Sequence, residues 1–438
     1  MTNKLLIATA AVIAAGFASL LGGVLDEPQG EPPSALAASQ SAEDFKAGFA
    51  LNASTATLVE SLQATLEANA KDEHTWALLG LAYQQRARES GDPTYYTKSG
   101  GALDQALKLN PNDYLVYSGL GSLALSRHRF ALALRLGEHA HALSPTTARN
   151  YGVIGDAEIE LGRYRLAFRD FNTMNRFQPS LSSYSRVSYG RELIGHTAAA
   201  IKAMKLAVDA ATDTAEPTAW THVQLGKLYF NHGRVRAAEG EYRIANASFP
   251  NYAYGLDALA TAEAALGHLR NAISLERQAV DLIPLPQYVA TLGDLYDVTG
   301  RPTLARRQYA LIGAIEKLLR ANGVRVDLDI ALFDIDHGIQ LGHALTLAKI
   351  GHAERPSIDG DDVLAWALAR NGECATALGY SKLALRLGTQ DALKFFHRGM
   401  IERCLGNQTF AAVWFKQALA LNPHFSLLWA PVARRYVT

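Results

Sequence analysis

Residues 114–145 read YLVYSGLGSLALSRHRFALALRLGEHAHALSP, and this stretch contains one complete structural unit. An apolar pattern of helical period runs to about Ser126, and the short basic turn RHR follows it. A second helical pattern extends from Phe130 to Leu143 and stops before Pro145, because proline lacks an amide proton and clashes with the preceding turn. The stretch therefore predicts two helices joined by a tight turn.

The same plan recurs along the chain about every 34 residues. Seven glycines that recur with the repeat are each followed five residues later by an alanine. These pairs are Gly162/Ala167, Gly195/Ala200, Gly233/Ala238, Gly267/Ala272, Gly300/Ala305, Gly372/Ala377 and Gly406/Ala411. Glycine suits the left-handed conformation that ends a helix, and a small side chain lets two helices cross closely. The repeat predicts stacked helical hairpins in one elongated domain.

The repeated residues resemble the signature of tetratricopeptide repeats. Trp76-x2-Leu79-Gly80-x2-Tyr83 is similar to the first-helix part of that signature, and Ala167-x3-Phe171 with Pro179 is similar to the second-helix part. The resemblance implies an all-α fold, a right-handed α-solenoid of about ten helical hairpins over roughly residues 73–424. We expect units to begin near residues 73, 114, 148, 181, 218, 253, 286, 325, 358 and 392. A single helix at about 55–70 precedes them, and a capping helix at about 425–437 closes the last apolar face.

The N-terminal region differs in composition from the repeats. Residues 5–25 carry no charge and follow Lys4, which is typical of a signal peptide or membrane anchor. Whether this segment is cleaved stays open. Residues 1–25 are predicted to be the signal peptide or membrane anchor, residues 26–54 a flexible linker, and residues 55–438 the solenoid with its terminal helices. This layout predicts an exported protein of the cell envelope, membrane-anchored or secreted.

The charge balance and the cysteines limit the classes of partner and compartment. The 438 residues carry 42 basic and 42 acidic side chains, so no field favours a nucleic acid. A membrane would be contacted only through the N-terminal segment. Cys374 and Cys404 are the two cysteines, and they fit either a disulfide or two buried thiols. In the repeat frame both lie near the same end of neighbouring helices.

No motif of standard catalysis or cofactor binding is present. Gly119-x-Gly121-x-x-Ala124 has the spacing of a dinucleotide fingerprint but lies inside a predicted helix, where small residues serve packing. Asp334 and His337 share a helix face, but capping and a polar turn account for them better than a metal does. We expect no enzyme activity, no cofactor and no metal.

Binding is expected on the concave side of the stack, which the resemblance assigns to the first helices of the units. The residues predicted to face it are Arg149, Asp156, Arg186, Tyr189, Glu192, Trp220, Lys227, Tyr254, Asp257, Asp294, Asp362 and Trp366. Aromatic residues with charges of both signs favour a mixed polar and apolar segment of a protein or peptide. The sequence thus predicts a non-catalytic scaffold. The alternative is an envelope accessory protein that binds a glycan or another small ligand.

Overall fold

The computed structural model describes residues 54–211 and 215–437. These residues form twenty-two α-helices and no strand. The helices are α1 (Thr55–Ala68), α2 (Glu73–Ser90), α3 (Thr94–Leu109), α4 (Tyr114–Ser126), α5 (Phe130–Leu143), α6 (Ala148–Glu160), α7 (Tyr164–Phe177), α8 (Leu181–Leu193), α9 (Thr197–Asp209), α10 (Ala215–Asn231), α11 (Val235–Ser248), α12 (Ala253–Ala265), α13 (Leu269–Leu282), α14 (Pro286–Val298), α15 (Pro302–Ala321), α16 (Asp327–His337), α17 (Leu341–Glu354), α18 (Ile358–Arg370), α19 (Cys374–Ala384), α20 (Ala392–Cys404), α21 (Gln408–Leu421) and α22 (Trp429–Arg435).

The helices from α2 to α21 pair into ten consecutive hairpins, which we number units 1 to 10. Each even-numbered helix packs on the odd-numbered helix that follows it, and each unit packs on the next. The described part of the chain is therefore the all-α solenoid of tetratricopeptide type that the sequence predicts. The terminal helix α22 is shorter than expected, since it covers Trp429–Arg435 rather than residues 425–437. The chain from Pro423 to Leu428 turns instead of continuing a helix.

The turn inside each hairpin follows from its glycine. Gly162 has φ 71°, in the left-handed region that a glycine enters without steric cost. Its amide donates to the carbonyl of Ile159 at 3.0 Å, and the amide of Arg163 donates to the carbonyl of Glu158 at 2.8 Å. This pair of bonds is a Schellman motif, which satisfies carbonyls at the end of α6. The other six turn glycines of the repeat also have positive φ.

Close packing within each hairpin depends on small residues. The seven repeat alanines, such as Ala167 and Ala238, are all buried where the two helices cross. A glycine of the first helix also makes room for an aromatic ring of the second. A Cβ atom added to Gly226 would lie 2.3 Å from Cε1 of Tyr242, and one added to Gly293 would lie 2.2 Å from the same atom of Tyr309.

The solenoid winds so tightly that its successive turns touch. The turn of unit 3 meets the start of unit 9, where Tyr164 Oη accepts a hydrogen bond from the amide of Ile358 at 2.6 Å. The turn of unit 5 meets the end of unit 10, where Asn422 Nδ2 donates to the carbonyl of Phe230 at 2.9 Å. Parallel contacts join His128 to Arg325 and Leu193 to Thr389. The inner side of the solenoid is therefore enclosed along this seam.

The predicted signal or anchor segment, residues 5–25, lies outside the described residues. Among the helices that the structure describes, none has both the length and the apolar character needed to cross a bilayer.

Near the C-terminal end of the chain, the structure joins Cys374 and Cys404 in a disulfide, with their Cα atoms 5.9 Å apart. This bond links the start of α19 to the end of α20 and so ties unit 9 to unit 10.

Candidate functional site

A cavity of about 530 Å³ lies where two turns of the solenoid meet. One wall comes from α8 and α10, the first helices of units 4 and 5, and the opposite wall from the starts of α18 and α20. The polar lining that matters for binding consists of Tyr189, Glu192, Gln224, Lys227, Asn231, Asp359, Asp391 and Lys394. The volume falls within the range of about 300–1,000 Å³ typical of ligand sites.

The wall formed by units 9 and 10 is a fixed ion-pair cluster. Asp391 caps α20 by accepting hydrogen bonds from the amides of Leu393 and Lys394, at 2.9 and 3.1 Å. Lys394 Nζ lies 2.7 Å from Asp391 Oδ2 and 2.8 Å from Asp359 Oδ1. Burial alone would lower the pKa of Lys394, but the two carboxylates raise it well above its usual value. Lys394 is therefore a fully charged cation that is already paired.

Lys227, on the wall formed by units 4 and 5, is in a different state. Its ammonium makes no hydrogen bond or ion pair with any described residue, although it lines the same cavity as Lys394. Burial lowers the pKa of Lys227, and the attraction of Asp257 and Glu192 compensates only in part. Lys227 is thus a partly buried cation without a direct partner in the described structure, and it is available to a ligand.

Glu192 is the carboxyl group that accompanies Lys227 in the cavity. The pKa of Glu192 is raised to about 7, mainly by burial. The carboxylates of Asp391 and Asp359 add to this increase, whereas the amide of Asn231 and the ammonium of Lys394 oppose it. Asn231 Nδ2 donates to Glu192 Oε1 at 3.3 Å. Near neutral pH this carboxyl group is partly protonated, so it can both donate and accept a hydrogen bond.

Two further polar side chains in the cavity are uncommitted. Neither the hydroxyl of Tyr189 nor the amide of Gln224 makes a hydrogen bond with a residue that the structure describes. Together with Lys227 they offer donors and an acceptor on one wall. All three side chains are partly buried and line the cavity, where a ligand can hydrogen-bond to them.

Three of the twelve predicted groove residues, Tyr189, Glu192 and Lys227, come together in this cavity. Asp257 acts on Lys227 from α12 without lining the cavity. Arg149 lies on α6 near Tyr114, outside the cavity. The remaining seven predicted residues have other roles.

Most of these seven residues are engaged with other protein groups. Asp156 and Arg186 form a buried bidentate pair, with contacts of 2.9 and 2.8 Å. Asp294 accepts from Tyr309 Oη at 2.7 Å and contacts His337 Nε2 at 2.8 Å. Trp220 and Tyr254 lie in the core. Asp362 contacts His397, and the indole of Trp366 donates a hydrogen bond to Asp336. Trp220 and Tyr254 are only 2% and 9% exposed, so a partner on the inner face does not reach them.

Sequence reasoning missed the opposite wall of the cavity. Ser357 caps α18 by accepting a hydrogen bond from the amide of Gly360 at 3.3 Å, so Asp359 in the first turn of this helix is left to contact Lys394. Asp391, Lys394 and Gln224 were not singled out at all. The sequence could have indicated Gln224, because it lies one helical turn before the predicted groove residue Lys227 on the same helix face. No sequence signal links units 4 and 5 to units 9 and 10.

No cluster of three or more His, Cys, Asp or Glu side chains with metal-binding geometry occurs within residues 54–211 and 215–437. His337, the histidine closest to a predicted metal pattern, contacts Asp294 through one ring nitrogen and the carbonyl of Phe333 through the other.

Neither a protein-family model nor a curated protein sequence matches the chain. Similar solved structures include a human IFIT1 dimer with PPP-AAAA, which is 14% identical to this chain in sequence. The match has a TM-score of 0.48 and covers 87% of this chain and 89% of the IFIT1 chain. MamA is 21% identical, with a TM-score of 0.31, and covers 37% of this chain and 95% of its own. YrrB, described as a tetratricopeptide protein with an unusual peptide-binding site, is 18% identical, with a TM-score of 0.29, and covers 42% and 93%. Similarity at this level carries no information about the ligand of the present chain.

Proposed function

We propose that this protein is a non-catalytic scaffold that binds a short segment of a protein or peptide in the cavity between units 4, 5, 9 and 10. One observation carries the proposal: Tyr189, Gln224 and Lys227 face the cavity with no hydrogen-bonding partner among the described residues. All three side chains are partly buried at the cavity, and each hydrogen bond that a ligand makes to them contributes about 0.5–1.5 kcal/mol to binding.

A peptide backbone supplies the groups that this wall lacks. Its carbonyl oxygens accept from the ammonium of Lys227 and the hydroxyl of Tyr189, and its amides donate to the carbonyl oxygen of Gln224. Side chains of the segment would contact Phe425 and Leu228, which also line the cavity. A segment that is polar along its backbone and apolar in one side chain fits this lining.

The enclosed shape favours a short segment over a long one laid along the whole inner face. The turns of the solenoid contact one another at the seam, and the pairs Asp156–Arg186 and Asp294–His337 use inner-face side chains for structure. A cavity of about 530 Å³ therefore limits the occupant to a chain end or the tip of a loop.

The same volume supports a second candidate, a small polar ligand such as a sugar. Tyr189 presents a ring and a hydroxyl to the cavity, and aromatic rings with nearby hydrogen-bonding groups suit sugar rings. Photo-crosslinking from position 224 separates the two candidates. Capture of a protein supports the first, whereas capture of a glycan with no protein supports the second.

Export of the protein is part of the proposal and rests on the uncharged segment 5–25 that follows Lys4. An exported scaffold would meet its partner in the cell envelope, either tethered by this segment or released from it. Fractionation of cells that express the full chain with a C-terminal tag tests this point. Recovery of the protein in the cytoplasmic fraction alone would contradict it.

The binding proposal is tested by photo-crosslinking in cells that express the full chain. A photoreactive amino acid placed at Gln224 should capture a defined partner, and the same amino acid at the exposed residue Lys416 should not. A synthetic peptide from the captured region should bind the Gln224→Ala/Lys227→Met variant about ten-fold more weakly than the unmodified chain, because two hydrogen bonds are lost. The exposed pair Gln408→Ala/Lys416→Met serves as the control. Equal affinity in all three proteins would refute the proposal.

A further inference from the structure

The segment that leads into α22 lies on the inner side of the solenoid and does more than cover its last unit. Phe425 lines the cavity described above, and its ring centroid lies 5.7 Å from that of Phe396 on α20. Leu427 packs against the apolar cluster of units 6 and 7, which includes Leu295. Trp429 packs against aromatic rings of units 9 and 10. Alternate side chains of this segment thus contact units that are far apart in the sequence, as the side chains of a peptide bound in a groove do.

The indole of Trp429 lies in a site that the first helices of three successive units build. Its Nε1 donates to Asp336 Oδ1 of α16 at 2.9 Å, and the indole of Trp366 on α18 donates to the same oxygen at 2.8 Å. The ring of Trp429 stacks on Phe396 with centroids 5.4 Å apart, and it meets the ring of Trp366 edge-on at 5.7 Å. Asp336 and Trp366 can keep their hydrogen bond when Trp429 leaves. The site therefore belongs to the solenoid and is only occupied by α22.

The same site holds a donor that Trp429 leaves unused. The guanidinium carbon of Arg370 lies 5.3 Å from the ring centroid of Trp366 and 5.7 Å from that of Trp429. The Nη1 atom of Arg370 is buried and has no hydrogen-bond partner among the residues that the structure describes. A buried donor without a partner is unfavourable. A segment that brings an indole together with a carbonyl or carboxylate oxygen for Arg370 would therefore fit this site better than Trp429 alone does.

We propose that the inner face of units 8 to 10 binds a protein segment that presents a tryptophan side chain, and that Trp429 occupies this site until such a segment displaces it. The helix α22 has only seven residues, and a helix of this length is not stable by itself. Its position thus depends on side-chain contacts, which an incoming tryptophan can replace. The segment 425–437 is in this sense an autoinhibitory contact. Asp336, Trp366 and Arg370 do not line the cavity, so the inference does not rest on the function proposed for it.

The test uses a fluorophore-labelled synthetic peptide of residues 426–438, SLLWAPVARRYVT. Fluorescence anisotropy measures its affinity for the full unmodified chain and for the full-length variant Leu427→Ala/Trp429→Ala, whose own segment can no longer fill the site. The variant should bind the peptide at least ten-fold more tightly, because in the unmodified chain the tethered segment competes at a high effective concentration. Equal affinity for the two proteins, or no binding to the folded variant, would overturn the proposal.

Two further variants make the result specific to the indole and its acceptor. Addition of Asp336→Ala to the double variant should weaken peptide binding about ten-fold, since a hydrogen bond to a charged acceptor is lost. Trp429→Phe keeps a ring in the site but has no N–H donor, so this variant should bind the peptide more tightly than the unmodified chain and less tightly than the double variant. It decides the question if the double variant does not fold.

The control peptide has alanine in place of its tryptophan and should not bind the double variant. Binding of this peptide as tight as that of the original would show adhesion to an apolar face and contradict the role of the indole. Addition of Gln224→Ala/Lys227→Met to the double variant should leave its affinity for the original peptide unchanged. Loss of partner binding in the cavity would then count only against the function proposed above.

Discussion

At the scale of one residue, the burial of Glu192 beside the cavity makes the stability of the folded protein depend on pH. The side chain is half-buried and has one weak donor, Asn231, at 3.3 Å. Burial raises its folded-state pKa to about 7, whereas an unfolded glutamate titrates near 4.3. The folded state therefore holds a proton that the unfolded state releases between these two values. The free energy of unfolding must fall as pH rises through that window.

Glu192→Gln removes this dependence, because the amide imitates the protonated acid at every pH. We expect the variant and the unmodified chain to be equally stable near pH 4. At pH 8 the variant should be more stable by about 1–3 kcal/mol, since it no longer has to bury a carboxylate. Denaturant unfolding at both values of pH measures the difference. The control is Glu138→Gln on the exposed face of α5, for which the difference between the two pH values should be absent.

Residue positions were predictable from the sequence where a local rule decides them. The turn glycines and crossing alanines follow from backbone conformation and helix spacing, and both are found where the repeat placed them. The exposure of first-helix residues was less predictable. Trp220 and Tyr254 occupy positions that would face an open groove, but both are buried, and the rings of Tyr252 and Tyr288 pack against Tyr254.

At the scale of the helical element, the hairpin depends on a glycine that faces a ring. In unit 5 the Cα of Gly226 packs against Tyr242, and an added Cβ would lie 2.3 Å from the ring. Alanine normally stabilises a helix relative to glycine by about 0.5–1 kcal/mol. Here the steric conflict reverses the sign, because the ring is enclosed in the core and cannot retreat.

Gly226→Ala should therefore lower the free energy of unfolding by about 1–3 kcal/mol. The matched control is Gly240→Ala in α11 of the same hairpin, where no atom lies within 4 Å of the added Cβ. This control should raise stability by about 0.5–1 kcal/mol. Denaturant titrations followed by circular dichroism measure both effects. Stabilisation by both variants would show that helix propensity, rather than packing against Tyr242, decides the outcome.

The hairpins themselves were predictable because each one is a local structure. Helices α4 and α5 begin and end at the residues expected from their apolar period and from the proline that follows. The terminal helix was predicted too long, since Pro423 is followed by a turn in which Ser426 accepts hydrogen bonds from Leu428 and Trp429. Such side-chain turns compete with helix formation, and an apolar pattern does not reveal them.

At the scale of the whole molecule, the decisive feature is the contact between successive turns of the solenoid. Each hairpin rotates slightly relative to the last, and the pitch of the superhelix is the sum of these rotations. A repeat pattern reports the unit but not the rotation, so the sequence could not show that unit 4 meets units 9 and 10. The cavity, whose two walls come from different turns, was hidden for the same reason.

Gly195 lies on this seam and allows its contribution to be measured. It has φ 74°, and a Cβ there would lie 2.5 Å from the carbonyl oxygen of Gly388 in the next turn. Gly267 occupies the equivalent turn of unit 6 with φ 86°, and no atom lies within 4 Å of its added Cβ. Both alanine variants should lose about 1–2 kcal/mol of stability, because alanine is strained in the left-handed conformation. Only Gly195→Ala must also push the two turns apart.

We therefore expect Gly267→Ala to lose stability without a change of shape. Gly195→Ala should lose more stability, and its radius of gyration in small-angle X-ray scattering should increase because the seam opens. Amide exchange in residues 388–394 should also speed up, since these residues lie between Gly195 and the cavity wall formed by Asp391 and Lys394. If the two variants lose equal stability and keep equal radii, the contact between turns does not hold the solenoid closed. The cavity would then have to be maintained by the stacking of neighbouring units alone.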